Sequence, residues 1–409
     1  MSHENRRLMR VSIAGYGMMG GLYANVVDNV NRYFRDAPFR AVKANAFVYS
    51  DEEAEWAAED GWNPVRSIEE MPNGADYAYV ALPNAKHCDV ALATFEQGKH
   101  CFCEKPLAVS VDEAFAMTQA AEANKRLLNS VNFIYRRSPA TVYARKLAQS
   151  GVFGDATVCR IQYWQPWGAA MVGVPHAWQF EPAPYTWRFD PEQAGGASYD
   201  LASHCFDMLN YVTNERPRTV SAVATTHVKK RRDPKTGKMR PVYVDDTLEA
   251  NFALSGDAVG SLSVSRNCFG HENSHKFEIC FERGTLAWSY DDLATLWVYA
   301  ADGGLKLPNG ETISRGWTKI DCNRNGFWSH DFADGHRIGY RDLAVYALCE
   351  NMRAIDALES GREYQSDAPI ATFRDALEVQ RCVAAALLSA KEGRRITVAD
   401  VKATGEGEK

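Results

Sequence analysis

The sequence predicts an α/β protein with a doubly wound parallel sheet in its N-terminal half and an α+β domain on a mostly antiparallel sheet in its C-terminal half. Short apolar strands alternate with helices up to about residue 132, a pattern typical of parallel sheets. A glycine-rich turn joins the first strand to the first helix. After about residue 150, strand-like segments follow one another with few helices between them.

The individual elements follow from apolar runs and their flanking turn residues. In the N-terminal half, strands are predicted over 9–14, 42–49, 77–82, 100–103 and 127–132, and helices over 21–30, 52–59, 87–97 and 110–124. Ser110 and Glu113 form a capping-box pattern at the start of the last of these helices. In the C-terminal half, helices are predicted over 200–213, 340–359 and 370–391.

The glycine-rich turn spans Gly15–Gly20 and carries the spacing of a dinucleotide-binding Rossmann fingerprint. Its glycines let the backbone approach a pyrophosphate, and the N-terminus of the following helix favours an anion. The contacts to the cofactor predicted in this turn are Gly15, Gly17, Met18, Met19 and Gly20. With 409 residues, the chain is long enough for two domains. We therefore predict a dinucleotide-binding domain over 8–132, a substrate-binding and oligomerisation domain over 133–395, and a frayed tail over 396–409.

The end of the second strand indicates which dinucleotide is bound. Ser50 and Asp51 follow this strand, with further acids at 52 and 53 and no Arg or Lys close by in the sequence. Acidic groups bind ribose hydroxyls and repel a 2′-phosphate. This predicts NAD as the cofactor, contacted by Ser50 and Asp51, and leaves NADP open.

Two separated segments carry candidate catalytic groups. Glu104-Lys105-Pro106 follows a predicted strand, so Lys105 is expected at the carboxyl edge of the sheet, where it could polarise a carbinol oxygen. Asp200 and His204 lie four residues apart on a predicted helix, with Asp207 three further on, so all three would share one face. Histidine is the natural proton acceptor near neutral pH. Each segment also has a purely structural interpretation: a surface lysine, and a helix-start acid with a core histidine.

Residues 164–189 form a proline-interrupted aromatic arm. Indole rings stack on the C–H faces of sugars, and a guanidinium adds hydrogen-bond donors for hydroxyls or an acid. Packing between subunits is the alternative role. The aromatic residues of this arm are Trp164, Trp167, Trp178, Phe180, Tyr185, Trp187 and Phe189. From this arm we predict Trp167, Trp187 and Arg188 as substrate contacts. Arg136, which follows the last N-terminal strand, is predicted as a further substrate contact.

Composition excludes other classes of function. The net charge of −6 provides no basic field for nucleic acid or anionic membranes, and no secretory or membrane-spanning segment is evident, which predicts a cytoplasmic protein. A basic run at 229–240 is interpreted as a solvated hairpin tip, with an anion or partner site as the alternative. The ten cysteines lack the clustering of a zinc site, so no metal is predicted.

These motifs, in this order, resemble the Gfo/Idh/MocA family of glucose–fructose oxidoreductases and inositol dehydrogenases, over about residues 9–395. The resemblance also rests on Gly195-Gly196 before Asp200 and on Asp245-Asp246-Thr247. It implies a large open C-terminal sheet that often forms dimers or tetramers. It implies catalytic roles for Lys105, Asp200 and His204. The positions that it places in the cofactor cleft are Pro83, Asn84, His87, Glu104, Lys105 and Asn132.

The leading hypothesis is an oxidoreductase that transfers a hydride between NAD(P) and a ring secondary alcohol of a sugar, sugar derivative or cyclitol. Lys105 and His204 would handle the proton. The alternative is an NAD-dependent glycoside hydrolase that oxidises its substrate transiently, eliminates the aglycone and reduces the product back. A third possibility is a nucleotide-sensing protein without chemistry. The predicted assembly is a homodimer or homotetramer.

Overall fold

The computed structural model describes residues 6–169, 182–308, 310–323 and 338–406. It divides into two compact units. The first contains Met1–Arg137 and His336–Leu377, and the second contains Ser138–Gly335 and Glu378–Lys409. This differs from the predicted division, because a C-terminal segment groups with the N-terminal unit. In that segment, Ala371 pairs with Val131 as an isolated β-bridge.

The first unit is built on a six-stranded, fully parallel sheet with strand order β3-β2-β1-β4-β5-β6. Its strands are β1 (Arg7–Ala14), β2 (Phe39–Phe47), β3 (Asn63–Val65), β4 (Tyr77–Val80), β5 (His100–Cys103) and β6 (Asn129–Val131). β3 lies at one edge and had not been predicted. The strands β4 and β5 are buried along their whole length, which matches the continuous apolar runs expected of a parallel sheet covered on both faces.

Helices follow the strands as the alternating pattern predicts. They are α1 (Met18–Tyr33), α2 (Asp51–Glu59), α3 (His87–Glu96) and α4 (Val111–Ala123). Half of the predicted capping box of α4 is present: the Ser110 hydroxyl accepts a hydrogen bond from the Glu113 N–H at 3.2 Å, whereas the Glu113 carboxylate accepts from the Val109 N–H at 3.4 Å. The helix α1 is longer than predicted at both ends.

The second unit is built on a nine-stranded open sheet with order β18-β15-β14-β13-β7-β12-β11-β8-β19. All its pairings are antiparallel except that between β7 and β12. The strands of this unit are β7 (Ala156–Trp164), β8 (Pro217–Thr225), β9 (Lys230–Arg232), β10 (Met239–Pro241), β11 (Thr247–Leu254), β12 (Val259–Ser265), β13 (Ser274–Phe281), β14 (Gly284–Ser289), β15 (Thr295–Ala300), β16 (Leu305–Lys306), β17 (Thr312–Ile313), β18 (Gly316–Asp321) and β19 (Ile396–Thr397). The predicted mostly antiparallel sheet is confirmed.

Alternate residues of the central strands are buried, so one face of this sheet carries the core. The remaining α-helices of the described residues are α5 (Pro139–Gln149), α6 (Ser203–Thr213), α7 (Tyr340–Glu359) and α8 (Phe373–Glu392). The segment predicted as a frayed tail is ordered up to 406. Ile396, 2% exposed, pairs with Val220 at the edge of the sheet, and Arg381 contacts Glu406. The frayed-tail prediction was wrong because it considered only composition, whereas a sheet edge supplies the missing partners.

The basic run forms the predicted hairpin, with β9 and β10 paired antiparallel. Its interpretation as wholly solvated was wrong for one residue. Arg231 is 1% exposed, while its neighbours on β9, Lys230 and Arg232, are exposed. The alternation of a β-strand therefore directs one cation of the run into the protein.

Candidate active site

The glycine turn of the first unit has the geometry of an anion-binding helix start. Gly15 has φ of +97°, and its N–H donates to the Phe47 carbonyl at 3.0 Å. A Cβ on Gly20 would stand 2.0 Å from the Gly15 carbonyl oxygen, so this position requires glycine for packing. A Cβ on Gly17 would meet no atom within 4 Å. The space before the N-terminus of α1 is thus open, and the turn fits a pyrophosphate.

The two methionines of this turn differ in exposure. Met18 is 75% exposed, and Met19 is partly buried. Neither contributes a side-chain polar group, so any contact with the cofactor from these residues would come from backbone N–H groups or apolar packing. No side chain caps the helix start, which leaves the first N–H groups of α1 available for an anion.

At the end of β2 the structure corrects one argument from the sequence. The Ser50 hydroxyl caps α2 by accepting from the Glu53 N–H at 3.1 Å, and the Glu53 carboxylate accepts from the Tyr49 N–H at 2.7 Å. Asp51 is in contact with the guanidinium of Arg66. A cation therefore does lie beside the predicted ribose-binding acid. It was missed because it follows β3, fifteen positions along the chain.

Four strands end side by side: Ala14, Val80, Cys103 and Val131 are paired in register at the carboxyl ends of β1, β4, β5 and β6. The residues that follow these strands therefore share one edge of the sheet. Two backbone hydrogen bonds continue this pairing beyond the strand ends. The Glu104 N–H donates to the Val80 carbonyl and the Asn132 N–H donates to the Cys103 carbonyl, each at 2.9 Å.

Glu104 is the centre of a buried hydrogen-bond network at this edge. Its Oε1 accepts from the Tyr79 hydroxyl and from Asn132 Nδ2, the latter at 2.6 Å, and its Oε2 accepts from the Lys105 N–H at 3.3 Å. Tyr23 stacks on Tyr79 with ring centroids 3.7 Å apart. Burial raises the pKa of the Glu104 carboxyl, and its donors act in the opposite direction. The network holds the backbone at Lys105 in a defined place.

His87 reinforces the same loop from the other side. The ring is fully buried, with Nδ1 3.0 Å from the Pro106 carbonyl oxygen and Nε2 2.9 Å from that of Leu82. Burial lowers its pKa, so a neutral ring donates to one of the two carbonyls. Both nitrogens face the backbone, and His87 therefore holds the Lys105 loop rather than offering a nitrogen to a ligand. Asn84 is buried beside it in sequence, and Pro83 is partly exposed.

Lys105 itself is partly exposed and precedes Pro106, to which it is joined by a cis peptide bond. Arg136, predicted to contact substrate, also belongs to the first unit. It is 5% exposed, and its Nη1 lies 3.8 Å from Asp375 Oδ2. The contact with Asp375 indicates that at least part of its charge is balanced within the protein.

In the second unit the turn that carries Asp200 is not a regular α-helix. Ser198–Ala202 form a π-helical turn, and α6 begins only at Ser203. The spacing of 100° per residue that the prediction assumed does not hold at Asp200, because a π-turn advances by a smaller angle per residue. Asp200 is partly exposed, whereas His204 and Asp207 are buried.

His204 lies among aromatic rings of the sheet. Its ring centroid is 5.8 Å from that of Tyr163 and 6.4 Å from that of His275. Tyr163 and His275 stack on each other at 4.8 Å, and the Tyr163 hydroxyl donates to Asn273 at 2.6 Å. Burial lowers the pKa of His275 to about 3, so it is a neutral neighbour of His204.

The aromatic arm divides into a buried and a half-exposed part. Tyr185 and Phe189 are buried in one cluster with Val242 and Val244, which neither interpretation from the sequence had predicted. Trp187 is half-buried and lies beneath the guanidinium of Arg188, 4.2 Å from its ring centroid. Trp167 donates from Nε1 to Gln165 at 2.8 Å. Trp178 and Phe180 lie outside the described residues.

Several groups around the candidate residues of the two units were not found from the sequence. They are Tyr23 and Tyr79 around Glu104, Arg66 beside Asp51, Tyr163 and His275 around His204, and the buried ions Arg231, Asp246 and Arg266. Two of these residues carried a signal: Asp246 as part of the Asp-Asp-Thr motif, and Arg231 as part of the basic run at 229–240. The described residues contain no cluster of three or more His, Cys, Asp or Glu side chains suited to a metal. None of the described helices combines the length and apolarity needed to cross a membrane.

The glycine turn, the parallel sheet and the second sheet-based unit define an NAD-binding oxidoreductase, and comparison with known proteins agrees. Residues 9–133 match the family model described as "Oxidoreductase family, NAD-binding Rossmann fold", and residues 141–287 match the "GFO/IDH/MocA C-terminal domain". The chain belongs to the GFO/IDH/MocA family of NAD-dependent oxidoreductases. The predicted family, fold, enzyme class and cofactor are thereby confirmed.

The similar proteins include carbohydrate dehydrogenases. Levoglucosan dehydrogenase of Pseudarthrobacter phenanthrenivorans is 30% identical over 382 residues, which cover 82% of this chain and 95% of that protein. A levoglucosan dehydrogenase in complex with NADH and L-sorbose aligns with a TM-score of 0.81 and 27% identity, covering 96% of this chain and 99% of that one. An oxidoreductase domain protein from Kribbella flavida aligns with a TM-score of 0.81, 29% identity and the same coverage.

Proposed function

We propose that this protein is an NAD-dependent dehydrogenase acting on a ring secondary alcohol of a sugar, sugar derivative or cyclitol. One observation carries the proposal. Glu104 and Lys105 follow β5 at the same edge of the sheet as the open glycine turn after β1, and a buried network holds their backbone. The similarity to levoglucosan dehydrogenase, which covers 82% of this chain, supports a sugar-derived substrate and makes levoglucosan the first compound to test.

The proposed chemistry assigns one role to each candidate catalytic residue. His204 accepts the proton of the substrate hydroxyl, for which a neutral imidazole is suited near pH 7. Lys105 donates a hydrogen bond to the same oxygen and stabilises the developing negative charge. Asp200 orients His204 and binds a neighbouring hydroxyl. When bound, NAD accepts the hydride. Predicted substrate contacts from Arg136, Trp167, Trp187 and Arg188 complete the proposal.

The cofactor contacts are likewise proposed by residue. The pyrophosphate would be surrounded by the backbone of Gly15, Gly17 and Gly20, together with Met18 and Met19. Asp51 would bind the ribose. Pro83, Asn84, Glu104 and Asn132 would form the nicotinamide end. Ser50 and His87 would act by holding α2 and the Lys105 loop, because their side chains already bond to the protein.

The test is turnover of a panel of sugars, anhydrosugars, cyclitols and glycosides with NAD and NADP, following reduced-nicotinamide absorbance and product identity. We expect NADH to form in proportion to oxidised product. Release of an aglycone from a glycoside without net NADH would instead favour the hydrolase. No oxidation or aglycone release across the panel would contradict both activities.

Lys105→Met tests the role of the ammonium group. It keeps an unbranched side chain but removes the charge, and we expect kcat to fall by at least ~100-fold, about 3 kcal/mol of transition-state stabilisation. Lys125→Met, at an exposed position after α4, serves as the matched control and should behave like the parent. Parent-like turnover by Lys105→Met would remove Lys105 from the mechanism.

We also propose that the protein forms a homodimer or homotetramer through the second unit. The outer face of its sheet carries half-exposed aromatic groups, with Trp297 44% and Trp317 50% exposed. Light scattering coupled to size exclusion should give a mass of two or four chains. A Trp317→Lys variant should shift this mass toward one chain, whereas a monomeric parent would contradict the proposal.

A further inference from the structure

The second unit contains a fully buried ionic cluster that the proposed chemistry does not use. It consists of Arg231, Arg266, Asp245 and Asp246, which we call the buried arginine cluster; their exposures are 1%, 0%, 8% and 0%. Burying charges is costly unless each is paired and hydrogen-bonded. Retaining two guanidinium groups in a core therefore calls for an explanation.

Asp246 joins the two arginines. Its Oδ1 accepts from Arg266 Nε at 3.0 Å and lies 3.4 Å from Arg231 Nη2. Its Oδ2 accepts from the N–H groups of His227 and Val228, each at 2.9 Å. Both carboxylate oxygens are thus fully engaged, and the junction between the two arginines is rigid.

Three further hydrogen bonds from the two guanidinium groups go to the backbone of the aromatic arm. Arg231 Nη1 donates to the carbonyls of Gly168 at 2.7 Å and Ala183 at 3.0 Å. Arg266 Nη1 donates to the Arg188 carbonyl at 3.0 Å. Both guanidinium groups also lie over the ring of Phe189, at 3.7 and 4.4 Å from its centroid, a favourable cation–π geometry. Lysine could not reproduce this combination of forked donors and a planar face.

The same cluster holds the turn that carries Asp200. Arg266 Nη2 donates to the Asp245 carbonyl at 3.0 Å, and the same carbonyl accepts from Ala197 N–H at 2.9 Å. Asp245 Oδ2 accepts from the N–H and hydroxyl of Ser198, at 2.8 and 2.9 Å. Ser198 is the first residue of the π-helical turn that carries Asp200.

Two glycines allow this close approach. A Cβ on Gly195 would stand 2.7 Å from the carbonyl oxygens of Arg188 and Asp190, and one on Gly196, whose φ is +112°, would stand 2.5 Å from Asp245 Oδ1. The Gly195-Gly196 pair therefore lets the arm and the Asp200 turn pack against the cluster.

We propose that the buried arginine cluster is a positioning device that fixes the Trp187–Arg188 pair and the Asp200 turn relative to each other, and so determines which carbohydrates the enzyme accepts. This inference rests on the proposed function. Arg231, Arg266, Asp245 and Asp246 are positioning residues: they act on substrate through the backbone of Arg188 and through Ser198.

Arg266→Lys and Arg231→Lys test the device with the charge retained. We expect KM for the carbohydrate to rise at least ten-fold, the preference among sugars of the panel to change, and the dissociation constant of NADH to stay within two-fold of the parent. Arg232→Lys makes the same substitution at the exposed neighbour on β9 and should match the parent throughout. Asp245→Asn should instead lower kcat, because it loosens the Asp200 turn.

A second readout does not depend on activity. Arg188 is partly exposed, but its carbonyl accepts from both Arg266 and Gly196, so trypsin should cut slowly after it. In Arg266→Lys we expect cleavage after Arg188 to be at least ten-fold faster, with Arg232→Lys unchanged. Thermal unfolding and NADH binding report whether each variant is folded.

Parent-like KM, sugar preference and cleavage rate in both lysine variants would overturn the positioning role. The positioning role would also be overturned if carbohydrate turnover in these variants fell only in proportion to the fraction of protein that is folded and binds NADH. If the parent oxidised no carbohydrate, the proposed function would fail. Tryptic cleavage would then decide whether the cluster holds the arm.

Discussion

Gly17, Gly20 and Gly21 allow a sharp test of cofactor binding, because an added methyl group should have a different consequence at each position. Gly17 has ordinary backbone angles and open space where a Cβ would stand, whereas a Cβ on Gly20 would stand 2.0 Å from the Gly15 carbonyl oxygen. Gly21 lies one residue further, inside α1, and a Cβ there would meet nothing within 4 Å. Alanine substitutions at 17, 20 and 21 should therefore behave differently.

Gly17→Ala should weaken cofactor binding without unfolding the protein. Alanine is a poorer helix N-cap than glycine by up to about 1 kcal/mol, but it reduces the entropy of the unfolded chain by a comparable 0.4–1 kcal/mol, roughly. These effects offset each other, so the free energy of unfolding should change by less than about 1 kcal/mol. The new methyl group occupies the space where the pyrophosphate would approach, and we expect the dissociation constant of NADH to rise at least ten-fold, about 1.4 kcal/mol.

Gly20→Ala should destabilise the fold itself. The methyl group overlaps a backbone oxygen that cannot rotate away, so the turn must shift, at a cost of about 1–3 kcal/mol or more. Gly21→Ala is the matched control: it replaces glycine inside a helix, which should stabilise the protein by roughly 0.5–1 kcal/mol, and NADH affinity should be unchanged.

The measurements are NADH titration by fluorescence and urea unfolding of the three variants in parallel. We expect Gly17→Ala to lose NADH affinity while keeping its stability. Gly20→Ala should lose both, and Gly21→Ala should lose neither. A Gly17→Ala variant that binds NADH like the parent would refute the anion-binding role of this turn. A Gly17→Ala variant as unstable as Gly20→Ala would refute the argument from open space.

Two further predictions concern cofactor choice and acid stability. Asp51→Ala releases Arg66 from its contact. It should raise the ratio of kcat/KM for NADP over that for NAD at least ~10-fold, because a free guanidinium can bind a 2′-phosphate. The double variant with Arg66→Ala should lose this gain, and an unchanged ratio in Asp51→Ala would place the ribose elsewhere. Burial lowers the pKa of His275 from 6.5 to about 3, so its contribution to stability is complete above pH 6.5 and falls by up to about 1.4 kcal/mol per pH unit as pH drops toward 3. Unfolding midpoints between pH 4 and pH 8 should therefore vary less in His275→Phe than in the parent, and parallel pH curves would contradict a buried neutral ring.

Much of the first unit could be predicted because its signals are local. The strand before Gly15 and the helix after it follow from apolar periodicity and from glycine's access to positive φ, and the N-cap at Ser110 depends on residues three apart. Even there, the edge strand Asn63–Val65 was missed, because three residues carry too little periodicity to be recognised.

The errors came from through-space partners. Asp51 was judged free of cations because Arg66 follows a different strand, and Arg231 was judged solvated because its sequence neighbours are all polar or basic. Asp246 and Phe189, which offset the cost of burying Arg231, stand far from it in sequence. Similarly, the regular spacing assumed for Asp200 ignored the hydrogen bonds that Ser198 donates to Asp245, which accompany a π-helical turn.

By itself, the sequence determined the type of sheet in each unit, the dinucleotide turn and the candidate catalytic residues, since periodicity, glycine conformation and strand-end position act over a few residues. Only the tertiary structure decided that a cation accompanies Asp51, that His87 supports the Lys105 loop, and that two buried arginines hold the aromatic arm and the Asp200 turn. The physical reason is that the cost of burying a charge or a polar group depends on partners that the fold, and not the local sequence, brings within hydrogen-bond distance.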